Sequence, residues 1–349
     1  MASGLTPSAL GARPCRPSAG PPILFVIVDT EEEFDWNAPM ARYNTAVTAV
    51  RRIDRVQRIF ERYRVRPTYV VDFPVASQAD GFLPLRDLAD SGGCDIGAHL
   101  HPWVNPPFEE ILNARNSFPC NLPGDLERRK TERLVEAIGD SFGRWPRVYK
   151  AGRYGFGSST AATLECLGFD VDTSINPHMD FTGIEGPSFV SFDSRPFFFG
   201  QTQPLLELPC TVGHVGILGP AGRHVHRLAS WEPFDRLRAV GALSRLRLTN
   251  RVMLSPEGNS LREMQQLTEA LVARGVRTLS LTFHSPSAVP GHTPYVTTRA
   301  DLNRFLGRID AYLQFFFGRL GGTTCTPEVF KARAEAQATA SIRPEVYAS

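Results

Sequence analysis

The residues best equipped for chemistry are two of the chain's eight histidines. His99 and His101 lie two apart in Asp95-Ile96-Gly97-Ala98-His99-Leu100-His101-Pro102-Trp103, after a short apolar, strand-like run. Alternate side chains of a strand share a face. Two imidazoles on one face can grip a metal ion such as zinc; the plainer alternative is a hydrogen-bonded pair of loop histidines. A second group follows the apolar run 23–28, in Asp29-Thr30-Glu31-Glu32-Glu33-Phe34-Asp35. Acids directly after a buried strand do not serve packing; they sit at its carboxyl end, where α/β folds build their sites. Other strand-like runs end in Asp72, Lys150 and Arg153, Asp172, Glu257 and His284. If these strands are parallel neighbours, all of these residues crowd one rim. A carboxylate and two histidines make an open metal site, and the metal acidifies water and polarises a carbonyl. A further carboxylate can take a proton and a further histidine can give one. Together these are the needs of ester or amide hydrolysis.

The elements that must carry these residues alternate along the chain. Segment 23–28 is continuously apolar and β-branched, as expected of a strand buried on both faces. Apolar residues at helical spacing then occupy 44–63. Strand 67–71, a helix at 83–90, the strand-like stretch at 95–103 that carries the histidines, a long loop over 102–121 and a helix at 126–142 come next. A strand passing into a loop over 148–155, a helix at 158–167, strand 169–174 and an apolar segment at 205–212 follow, with no clear pattern over the rest of 176–232. Strand 251–254, a helix at 261–274, strand 278–283 and a helix at 301–317 complete the series. About seven strand–helix units predict a parallel sheet with right-handed crossovers, and rim residues after strand after strand favour a barrel over an open sheet. The expected organisation is a disordered leader over 1–22, one α/β barrel domain over 23–325 and a tail over 326–349. His178 and His214 fall in the unpatterned region, His224 and His226 read as exposed loop residues, and Asp72, Glu257 and His292 as lesser rim residues.

Composition narrows the class. The 349 residues are 42% hydrophobic and 21% charged, ordinary for a soluble globular protein. A net charge of +2 provides no strong field for nucleic acid or an acidic membrane, and no apolar run approaches the length of a membrane span. Residues 1–22 lack the apolar centre of a signal peptide, so a cytoplasmic location is expected. The six scattered cysteines read as reduced thiols. Nothing in the sequence specifies an oligomeric state.

From 23 to 320 the chain resembles the polysaccharide deacetylase superfamily, the NodB-homology or family-four carbohydrate esterases. It is most similar to a subgroup with a Gly-x-His-x-His-Pro-Trp motif, here Gly97 to Trp103. The resemblance implies an irregular seven-stranded (β/α) barrel and a divalent metal, zinc foremost with cobalt or manganese as alternatives. It also implies removal of N- or O-linked acetyl groups from a saccharide. The family's first motif, Thr-Phe-Asp-Asp, supplies a base and a metal ligand. Asp29 matches the base, Thr30 occupies the usual ligand position, and Glu31 is the nearest substitute, with Glu32 and Glu33 beside it. The second motif, His-Ser/Thr-x-x-His, places ligands four apart. Here that position is Trp103, so His99 and His101 must serve. Tyr149-Lys150-Ala151-Gly152-Arg153-Tyr154-Gly155 resembles the third motif, in which Arg153 or Lys150 would hold Asp29 and a backbone N–H near Tyr154 would face the oxyanion. Leu281-Thr282-Phe283-His284 resembles the last, making His284 the general acid with Asp172 orienting it. Trp103, Tyr154 and Lys150 are the expected substrate contacts, joined by the rim aromatics Phe34 and Trp36. Two other functions fit the same residues: a glycoside hydrolase using Asp29 and Glu257, and a catalytically inactive carbohydrate-binding barrel.

Overall fold

A computed structural model describes residues 5–15, 20–216 and 250–342. The strands are β1 (Arg13–Pro14), β2 (Ile23–Thr30), β3 (Thr68–Val71), β4 (Asp95–Leu100), β5 (Val148–Ala151), β6 (Val171–Asp172), β7 (Phe197–Phe199), β8 (Leu205–Glu207), β9 (Val212–Val215), β10 (Asn250–Met253), β11 (Thr278–His284) and β12 (Thr323–Thr324). The helices are α1 (Asp54–Arg62), α2 (Phe73–Ser77), α3 (Ala79–Asp90), α4 (Gly124–Phe142), α5 (Ser158–Cys166), α6 (Leu261–Ala273), α7 (Arg299–Gln314) and α8 (Pro327–Ile342).

The main sheet has ten strands in the order β1-β7-β8-β6-β5-β4-β3-β2-β11, with β12 beside β2. Pairing is parallel from β8 through to β11, and only β1 and β7 join antiparallel. The fold is therefore mixed α/β with a mostly parallel sheet, as the alternating pattern predicts. Among the described residues the expected barrel does not close as one hydrogen-bonded ladder. The antiparallel pair β9–β10 lies beside the β11 edge. Leu254 N–H donates to Thr211 O (2.8 Å), and Thr282 N–H of β11 donates to Leu254 O (3.1 Å).

The strand period divides each strand between two cores. Leu24, Val26, Val28, Tyr69 and Tyr149 join the large outer core that the helices cover. Phe25, Ile27, Val70, Val148, Val171 and Leu206 form a smaller inner core. Continuing the inner register leads from Phe25 and Ile27 to Asp29, and from Val148 to Lys150. The apolar inner core thus becomes polar at the carboxyl ends of the strands.

Several segments differ from expectation for local reasons. The helix expected over 44–63 is a 3-10 turn (Thr48–Arg52) followed by α1. The segment 205–212 splits into β8 and β9 around Pro209, which cannot donate to a ladder. Part of the expected leader has structure: Leu10 and Cys15 are buried, and β1 pairs with β7. Part of the expected tail is α8, whose Phe330 packs edge-on against Phe25 at 5.3 Å in the inner core. His224 and His226 lie outside the described residues. Among the described residues no helix is long and apolar enough to cross a membrane.

Candidate metal centre and active site

Register assembles the site. Asp29 pairs with His284 across β2–β11, and His99 with Lys150 across β4–β5. All four open on a cavity of about 550 Å³ whose walls also include Glu31, His101, Trp36, Met253 and Tyr295.

On one side of the floor are Glu31, His99 and His101, all buried and able to present one ligand atom each within 4.8 Å of the others. His99 Nδ1 faces Lys150 O at 2.9 Å, and His101 Nδ1 faces Glu32 Oε2 at 2.7 Å. With the proton on Nδ1 in each ring, both Nε2 lone pairs point inward. They lie 3.6 and 3.5 Å from Glu31 Oε2. Burial lowers both imidazole pKa values, that of His101 to about 4, so the rings are neutral near pH 7. Burial raises Glu31 to about 7. Its Oε1 is buried without a hydrogen-bond partner. Two neutral imidazoles, a strained carboxylate and an orphaned oxygen suit a divalent cation, whose charge would relieve all of them. The close approach of β5 helps: a Cβ on Gly152 would stand 2.5 Å from His101 Cδ2.

Behind His101 lies a network that the sequence reading did not assign. Glu32 is buried; its Oε1 accepts from Trp103 Nε1–H (2.7 Å), and its own N–H donates to Asp72 Oδ2 (2.6 Å). Asp72 also caps α2 through Val75 N–H at 2.8 Å. Burial and the nearby Glu32 push the Asp72 carboxyl well above its usual range. Trp103 is stacked on His101 with centroids 4.3 Å apart and is 1% exposed. It braces the imidazole while also lining the cavity. Thr30, at the usual ligand position of the resembled motif, instead donates its hydroxyl to Val28 O at 3.0 Å.

On the other side Lys150 Nζ donates to both Asp29 oxygens (2.6 and 2.7 Å) and to Thr282 Oγ1 (3.0 Å). Burial works against the Asp29 charge, but Lys150, then His99 and His284, outweigh it and the pKa falls. Lys150 is thus the clamp on Asp29. Arg153, the other candidate for that clamp, turns away at a positive φ of 53°. It stacks on Phe118 at 4.2 Å and reaches Ser117 Oγ. His284 Nε2 lies 3.8 Å from Asp29 Oδ2, while Nδ1 meets Glu257 Oε2 at 2.8 Å. Burial opposes its charge, yet Glu257, Glu31 and Asp29 together raise the imidazole to about 10. It therefore carries a proton across the neutral range.

Asp172 does not orient His284. It is buried against Ser174, accepting from its hydroxyl (2.6 Å) and N–H (3.2 Å), and Ser174 Oγ accepts from Ala151 N–H (2.7 Å). Asp172 thereby supports the end of the strand that carries Lys150. The acid on His284 comes from the turn after β10, where a Ser255-Pro256-Glu257 strand end was the one available signal. Tyr154 lines the cavity, with φ of 60° and its ring stacked on Phe181 at 5.7 Å. Trp36 meets His284 edge-on at 4.7 Å, and His292 lies off the floor, 3.3 Å from Glu33.

No family model matches the sequence. No curated protein matches it. Among solved structures, the chain is similar to a candidate polysaccharide deacetylase from Mycobacterium smegmatis, with a TM-score of 0.50 and 16% identity over 97% of this chain and 99% of that one. Looser likenesses are to a family-four pseudoenzyme from Bacillus anthracis (TM-score 0.44, 7% identity, 89% of this chain and 66% of that one) and a family-four carbohydrate esterase from Streptomyces lividans solved with acetate (TM-score 0.40, 10% identity, 87% and 91%). The chain thus shares the overall fold of the Mycobacterium smegmatis structure, mixed α/β around a mostly parallel sheet.

Proposed function

We propose that this protein is a metal-dependent hydrolase that removes acetyl groups from a carbohydrate. The observation that carries the reading is the placement of a Glu31–His99–His101 triad beside an ionised Asp29 and a protonated His284 in one cavity. Glu31 and the two Nε2 atoms would hold the divalent cation, zinc foremost. Bound there, it would polarise the acetyl carbonyl and acidify a water molecule. Asp29, kept ionised by Lys150, takes the proton of the attacking water. His284, held by Glu257 through Nδ1, gives its Nε2 proton to the departing sugar nitrogen or oxygen, and acetate leaves. Trp36 and Tyr295, in edge contact at 5.8 Å, offer ring faces and edges to a sugar at the mouth.

The paired-carboxylate glycosidase is disfavoured by the same geometry. Asp29 and Glu257 approach opposite nitrogens of His284, and Glu257 also accepts from the His284 N–H at 3.2 Å and from Ser287 Oγ. Neither acid is free to act on a glycosidic oxygen. The test is acetate release from acetylated oligosaccharides before and after chelation. Turnover should stop with the chelator and return with zinc, cobalt or manganese. Release of reducing ends without acetate, or acetate release indifferent to chelation, would refute the proposal.

A further inference from the structure

The cavity holds two guanidiniums that no acid among the described residues claims. Arg153 and Arg251 both line it and are each only partly buried. Arg251 sits on β10 opposite His214. Among the described residues neither forms an ion pair with a carboxylate. Arg251 is anchored through Nη1 to His178 O at 3.3 Å. Arg153 is anchored through Nη1 to Ser117 Oγ and Ala114 O and rests on the Phe118 ring. Among the described residues Nε and Nη2 of both have no protein acceptor. The acids of the cavity are all committed elsewhere: Asp29 to Lys150, Glu257 to His284, Glu31 to the two imidazoles.

Desolvating a cation without a counter-charge is costly, and a guanidinium pinned at one nitrogen keeps a planar fork of donors for an oxyacid. A neutral acetylated sugar would offer neither fork an oxyacid partner. We infer that the substrate is an anionic saccharide, whose carboxylate or phosphate group is received by Arg251 and Arg153 while its acetyl group lies over the Glu31–His99–His101 floor. This inference rests on the deacetylase reading and gives it a substrate class.

The experiment compares matched substrates that differ in charge. For the carboxylate, acetylated oligogalacturonide is set against its methyl ester. For the phosphate, N-acetylglucosamine 1-phosphate is set against methyl N-acetylglucosaminide. In at least one pair kcat/KM should favour the anion by about tenfold or more, the size of one charge-assisted hydrogen bond; the pair that does so identifies the source of the anion. Arg251→Gln and, separately, Arg153→Gln should bring that ratio towards one, and about 0.5 M salt should reduce it in the parent protein. If one variant misfolds, the other and the salt series still decide. A parent ratio of one or less in both pairs, or a ratio untouched by variants and salt, overturns the inference. Should no substrate release acetate, the deacetylase reading falls, and calorimetry of unacetylated trigalacturonate and of glucosamine 1-phosphate then reads the inference alone. Binding by the parent that the Arg251→Gln variant loses supports an anion site, and no binding of either anion overturns it.

Discussion

His101 and His284 each place Nδ1 against a glutamate, at 2.7 and 2.8 Å, yet they hold opposite charge states. His101 is pushed down to about 4 and His284 up to about 10. The contact itself cannot explain this; the surroundings do. For His101 burial dominates, Asp72 and Asp29 only partly offset it, and the positive His284 and Arg153 add to it. Its partner Glu32 is itself pushed up by burial, so it is a weak counter-charge. His284 is equally removed from water, but Glu257, Glu31 and Asp29 all draw its proton on. One carboxylate–imidazole pair therefore prepares a lone pair for a metal, and the other prepares a proton for a leaving group.

The sharpest way to break this contrast is to remove each ring. His284→Ala should lower kcat for acetate release by about 10²- to 10⁴-fold, the usual worth of a general acid, while metal content stays stoichiometric. His101→Ala should lose the metal, and activity with it, and added zinc at ordinary concentrations should not restore either. Plasma emission analysis of both purified variants separates the roles. Metal loss in the His284 variant, or full metal content in the His101 variant, would merge the two regions into one.

The partner acids give the next effect. Glu32→Gln removes the charge and leaves one acceptor for the two N–H donors of His101 and Trp103, so metal affinity should fall by about 10- to 100-fold. Glu257→Gln should leave metal affinity within about threefold and act on pH instead. His284 must be protonated to serve as the acid, so activity is lost as pH rises through its pKa. Removing the Glu257 charge lowers that pKa, and the alkaline limb of kcat/KM should move to lower pH by about one unit or more. An unmoved limb would show that the proton comes from another group.

Much of this site could be read from the sequence because period two and parallel register carry residues to one place. Asp29 and Glu31, and His99 and His101, share faces, and Asp29 lies opposite His284 by simple strand pairing. The reading failed where the chain leaves the strand. Lys150 is still on β5 beside His99 and so reaches Asp29, whereas Arg153, three residues later at positive φ, lies against Phe118 on the cavity wall. Glu32 follows Glu31 directly, but the chain has left β2 there, and its carboxylate ends behind His101 and not in the cavity. Asp172 is the acid expected to orient His284, and Glu257, expected only as a lesser rim residue, takes that place. Strand 251–254 is legible in the sequence, but the long-range contact that sets the turn after it beside β11 is not.

The smallest effect concerns Trp103, and it separates bracing from sugar contact. Its indole N–H is one of two donors to the buried Glu32 carboxylate, the other being His101 Nδ1–H. Trp103→Phe keeps an aromatic ring against His101 but strands Glu32 Oε1 without its donor. An unsatisfied buried acceptor costs about 1–3 kcal/mol, which chemical denaturation can measure as a lower midpoint at unchanged slope. The loosened Glu32 should weaken metal affinity by less than the Glu32→Gln change does. Because Trp103 is 1% exposed, KM for an acetylated oligosaccharide at saturating metal should stay within about twofold. A large rise in KM with stability intact would mean that the indole meets the sugar after all, and that the metal side of the cavity also binds substrate through its aromatic wall.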